Sequence, residues 1–136
     1  TFKARLVVRG FEQKYGIDKF WSIIPNDTTR FWSQIPWMKD GKKLWDYIRK
    51  YKPTILSAPS QEQTSKQGKR EWVMRELPNT NLKLKGAQYK HEFAKPNHIL
   101  IDDRADTIKR WNDAGGIGVL HISANNTIKQ LKKLGL

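Results

Sequence analysis

The chain has 136 residues, 26 Lys and Arg against 13 Asp and Glu, a formal net charge of +13, and no cysteine. Hydrophobic residues make up 38% and aromatics 11%, including six tryptophans, which excludes a disordered tail and suits one domain, residues 1–136, with its own core. The missing cysteines exclude a disulfide framework, a thiolate metal site and a cysteine nucleophile, and they fit a reducing, cytoplasmic setting. No apolar run approaches the roughly 20 residues of a membrane span. The opening TFKARLVVRG has neither an initiator Met nor a signal-type apolar block, which reads as a fragment or a processed product. A surface this basic attracts phosphates on nucleotides, nucleic acid or anionic lipid; its plainer use is solubility.

In chain order, RLVVRGF (5–11) reads as a short strand or as the exit of one into a helix. Residues 11–36 space Phe11, Tyr15, Phe20, Trp21, Phe31 and Trp32 in a helical rhythm broken at Gly16, Pro25 and Pro36. Two or three short helices are expected there. Asp40-Gly41 is a turn. Leu44, Ile48 and Tyr51 then line one face of a helix over 42–51, widened by Trp45, and Pro53 stops it.

PTILSAPS (53–60) reads as a buried strand that ends in small polar residues. A basic helix over 63–77 carries Trp72, Val73, Met74 and Leu77 and stops before Pro78. In it, KQGKR (66–70) reads as a solvated face. NLKLKG (81–86) alternates apolar and basic residues, as an edge strand does. HILID (98–102) reads as a central strand and 104–113 as a helix with Ile108 and Trp111 inward. Gly115-Gly116 ends that helix, IGVLHI (117–122) is a strand, and 127–136 is a last helix facing in through Ile128, Leu131 and Leu134. Strands alternating with helices from 42 onward favour a parallel sheet covered by helices. The stretch 11–40 falls outside that alternation and reads as a small helical cap on a core of residues 41–136.

In open parallel sheets, ligands gather beyond the carboxyl ends of the strands. Ser57 follows TIL, Asp102 and Asp103 follow ILI, and a loop over 86–97 brings Lys90, His91, Glu92 and Lys95 ahead of the aspartates. Two adjacent carboxylates repel unless a cation or hydrogen bonds hold them. Magnesium would do so, since it takes one or two carboxylates plus water and substrate phosphate. The plainer alternatives stay open. The aspartates suit a helix N-terminus, Ser57 suits a turn, and Lys90 is one of many lysines. His91, His98 and His121 lack metal-ligand spacing and read as structural or surface residues. The tryptophans read as core and cap packing.

Residues from about 31 to 136 resemble the haloacid dehalogenase superfamily of phosphohydrolases, in particular the small 5'(3')-deoxyribonucleotidase-like branch. ILSAPS looks like the second motif of that family, and ILIDDRADTI looks like the fourth. The lysine motif between them is offered by Lys90 in YKHEFAKPNHILIDD, with Lys95 second. The resemblance implies a three-layer, Rossmann-like α/β domain with a parallel sheet and a small helical cap. It implies a Mg2+-dependent phosphomonoester hydrolase acting on a phosphorylated small molecule such as a nucleotide. Ser57 and Lys90 would serve catalysis, Asp102 and Asp103 would hold the metal, and Lys95 and Arg104 would bind substrate.

The family also needs an Asp-x-Asp pair after the first strand, where the first carboxylate is the nucleophile. This sequence has no such pair. VVRGFEQKYGI (7–17) resembles the helix that follows the pair, which puts the nucleophile around or before Thr1. FKARLVVRGFEQKYGID (2–18) also resembles a segment of copia-type reverse transcriptases, without their aspartate pair. The alternative function is therefore a non-catalytic basic module that binds nucleic acid or a larger assembly.

Overall fold

The computed structural model describes residues 5–8, 33–58 and 63–136. The helices expected over 11–32, and with them most of the cap-like segment, lie outside these residues. The described elements alternate strand and helix. They are β1 (Arg5–Val8), α1 (Gly41–Ile48), a 3-10 turn (Arg49–Tyr51), β2 (Thr54–Ser57) and α2 (Gln63–Glu76). There follow β3 (Leu82–Leu84), a 3-10 segment (Ala87–Phe93), β4 (His98–Asp102), α3 (Ala105–Asp113), β5 (Ile117–Leu120) and α4 (Ala124–Lys133).

The five strands form one sheet in the order β3-β2-β1-β4-β5, and every neighbouring pair is parallel. RLVV is thus the middle strand, with Val8 level with Ile55 on one side and Ile101 on the other. This corrects the reading of 7–17 as one helix, because Val7 and Val8 belong to β1. NLKLKG supplies an edge strand and HILID an inner one, as their patterns predict.

Alternation along the strands divides the core in two. Ile55, Ile99, Ile101 and Val119 pack with Leu44 and Ile48 of α1, Trp72 and Val73 of α2, Leu77 just after it, and Leu131 of α4. Leu56 and Leu100 point to a second cluster with Ile108 and Trp111 of α3, joined by Phe93 and Leu120. Strands buried on both faces need continuous apolar runs, which explains TILS and HILID. Indole N–H groups in this core find acceptors. Trp72 donates to the Ile35 carbonyl at 2.7 Å and Trp111 to the His98 carbonyl at 3.0 Å.

The last helix begins one turn earlier than its apolar spacing suggests. Ser123 is the N-cap and accepts the Asn126 N–H at 3.2 Å, while Asp40 Oδ2 accepts the Ala124 N–H at 2.6 Å. Gly115 ends α3 with φ +96°, and the Gly116 N–H reaches back to the Trp111 carbonyl at 3.1 Å. Among the described residues no helix is long and apolar enough to cross a membrane.

Gly116 sits against the fully buried indole of Trp111, and a Cβ there would come 2.2 Å from Nε1. Gly116→Ala should overpack this junction and cost about 1–3 kcal/mol. Urea unfolding followed by tryptophan fluorescence should show the lower midpoint.

Candidate functional site

Parallel order places the C-terminal ends of β2 and β4 at one rim, with β1 between them. At the end of β4, Asp102 is 1% exposed, and its Oδ2 accepts from Lys90 Nζ at 2.9 Å. Lys90, also 1% exposed, comes from the 3-10 segment that covers this face of the sheet. Asp102 Oδ1 accepts the Arg104 N–H at 3.0 Å, and the Asp102 carbonyl accepts the His121 N–H at 2.8 Å. The carboxylate is therefore fixed by a cation on one oxygen and a peptide donor on the other. This is how a buried charge is tolerated. Asp103, next in the chain, is exposed.

At the end of β2, Ser57 is 3% exposed, and its Oγ accepts from Lys69 Nζ at 2.9 Å. Lys69 comes from α2, on the other face of the sheet. The rim thus carries two lysine–oxygen pairs, one reaching it from each face. Ser57 continues the alternation of Ile55, and Asp102 continues that of Leu100. The two residues stand on strands two places apart, roughly 10 Å by ordinary strand spacing.

The expected site residues separate into two groups. Ser57, Lys90, Asp102 and Asp103 share the rim. Lys95 does not: its carbonyl accepts the His98 N–H at 3.0 Å, so it sits where β4 begins. Five strand residues, roughly 13 Å at their normal rise, separate that end from Asp102. Arg104 is close in sequence but is engaged elsewhere. Its guanidinium meets Asp106 through Nε at 3.2 Å and Nη2 at 3.0 Å. Those hydrogen bonds hold the Asp106 carboxyl below its ordinary range. The three histidines gather at no common point. His98 Nδ1 lies 3.2 Å from the Phe93 carbonyl, and His121 Nδ1 lies 2.7 Å from Thr127 Oγ1.

Lys69 is the rim residue that the sequence reading missed, because KQGKR looks like a solvated surface. The usable signal was helical spacing. Lys69 precedes Trp72 and Val73 by three and four positions, and both of those are buried against the sheet. Gly68, four residues before Trp72, is buried as well.

Among the described residues no group of three or more His, Cys, Asp or Glu side chains is disposed to hold a metal. Asp102 and Asp103 do supply hard oxygens of the kind and number that Mg2+ accepts when phosphate and water complete its shell. Lys90 competes for the first of them. No family model, curated protein or solved structure matches the chain.

Breaking a buried ion pair strands a charge, whereas replacing both partners removes the problem. Lys90→Met should cost about 3–5 kcal/mol, and the double change Lys90→Met with Asp102→Leu should recover most of that loss. Chemical denaturation of both variants and of Asp102→Leu closes the cycle.

Proposed function

We propose that the chain is a phosphomonoester-binding domain of the haloacid dehalogenase type, nucleotidase-like, with Mg2+ as its cofactor and a cytoplasmic setting. The observation that carries this reading is the pair of lysine–oxygen contacts flanking the end of β1, Lys69 with Ser57 and Lys90 with Asp102. The β3-β2-β1-β4-β5 order, with helices against both faces, supports the three-layer Rossmann-like architecture that goes with it.

The chemistry follows from what each group can donate. Lys69 donates a hydrogen bond to Ser57 Oγ, so the Ser57 O–H can itself donate to a phosphoryl oxygen. Lys69 and Lys90 add fixed positive charge where a phosphate ester spreads its negative charge. Asp102 and Asp103 are the residues that would hold Mg2+, which when bound would neutralise phosphate charge. Asp102 also orients Lys90, and that role needs no metal.

Hydrolysis through a phospho-aspartyl intermediate needs a carboxylate just after the first strand. Here β1 is followed in sequence by Arg9, Gly10 and Phe11. The reading is therefore one of binding without turnover by that route. Its test is calorimetric titration of the full chain with a 5'-deoxynucleoside monophosphate, with and without Mg2+, alongside a phosphate-release assay. Saturable binding without release is expected. Ser57→Ala and Lys69→Ala should each weaken it about tenfold or more, the scale of a hydrogen bond to a charged group. Absence of nucleotide binding, with nucleic-acid affinity that falls steeply with salt, would favour the basic binding module instead.

A further inference from the structure

The second face of the sheet carries a cavity of about 190 Å3 that includes no residue of the two rim pairs. Its sheet side is formed by Thr54 and Leu56 of β2, Lys83 of β3 and His98 of β4. Its other wall is Glu92, Phe93 and Lys95, from the 3-10 segment and the turn that leads into β4.

The charges around it do not cancel. Lys83 and Lys95 both line the cavity, and the one carboxylate in the lining among the described residues, Glu92, lies 3.3 Å from Lys85 Nζ, which is not part of it. Lys83 Nζ stands 4.7 Å from the centre of the Phe93 ring, which places that ammonium at the cavity's aromatic wall. Thr54 adds a hydroxyl from a residue only 5% exposed. His98 Nδ1 faces the Phe93 carbonyl at 3.2 Å, an acceptor, so the ring proton belongs on Nδ1 and Nε2 is left as an acceptor for the O–H of a protonated phosphate oxygen. Two ammonium groups and a hydroxyl as donors, with an imidazole acceptor beside them, around a concave, partly apolar space form the set that a small phosphate-bearing anion selects.

We propose that this cavity is a second binding site, for a small phosphate-bearing anion, separate from the rim. Lys83 and Lys95 supply its charge, Thr54 and His98 its directed hydrogen bonds, and Phe93 its apolar wall. The site accounts for Lys95, which sequence proximity assigns to the rim and the fold places at the opposite end of β4. It does not depend on whether the rim binds nucleotide.

Inorganic phosphate is the probe, added to the isotopically labelled full chain at constant ionic strength with chloride as the balancing anion. Heteronuclear NMR should show saturable shifts at Thr54, Phe93 and His98. Both lysines are exposed, so the double variant Lys83→Gln with Lys95→Gln should keep the native spectrum. It should lose at least tenfold in phosphate affinity at these three residues, while shifts at Ser57 and Asp103 induced by a nucleotide stay as in the parent chain. Shifts that chloride reproduces, that do not saturate, that survive unchanged in the double variant, or that appear only around Ser57 and Asp102 would each overturn the assignment.

Discussion

A lysine and an aspartate, each about 1% exposed, meet at 2.9 Å where β4 ends. Desolvating two charges costs several kcal/mol per ion, and apolar residues of similar volume often serve stability as well or better. The contribution of this pair is therefore geometric. Lys90 ties the 3-10 segment to β4, the Arg104 N–H on Asp102 Oδ1 sets the chain's exit toward α3, and the His121 N–H on the Asp102 carbonyl joins β4 to the end of β5. Three connections that could each wander are fixed by one residue. A side chain held this firmly can serve as a fixed point for a ligand without paying ordering entropy at the moment of binding.

Strand parity then decides what the rim can offer. Val8 is level with both Ile55 and Ile101, so Ser57 and Asp102 differ by one step in register and turn to opposite faces. Each is met by a lysine from the layer on its own side, Lys69 from α2 and Lys90 from the 3-10 segment. A shift of one residue in the pairing of β2 would send Ser57 toward the wrong layer and Leu56 out of its cluster. The two cations reach the same rim from opposite faces of the sheet, on the two strands that flank β1.

Much of this was legible in the sequence. The apolar runs TIL and ILI mark strands buried on both sides, and GVL marks the half-buried edge strand β5. Ile108 and Trp111 mark the inner face of α3, and Gly115 marks its left-handed end. Lys90 and Asp102 came from a motif resemblance, and the structure brings the two side chains together. What was hidden has physical causes. Lys69 is masked by its basic neighbours, since composition cannot say which lysine of a helix turns inward. Lys95 looks close to Asp102 only if distance is counted along the chain, because an extended strand carries its two ends apart. The start of α4 was hidden because Asn125 and Asn126 carry no apolar signal, while its actual markers are the Ser123 cap and Thr127, which is fully buried.

The source of positive potential at the rim can be narrowed further. Helices that follow parallel strands begin at that rim, and their free N–H groups ordinarily favour anions. At the starts of α3 and α4 a carboxylate already stands by those groups. Ser123 and Asp40 take N–H groups of α4, and Asp106 lies in the first turn of α3 with its charge turned to Arg104 and Arg110. A helix terminus covered by carboxylates contributes little net potential to a ligand. On the function proposed above, anion recognition at the rim would fall to side chains, to Lys69 first, since Lys90 is already paired with Asp102. The placement of both lysines depends on α2 and the 3-10 segment packing from opposite faces, so the geometry of this rim is tied to the integrity of both halves of the core.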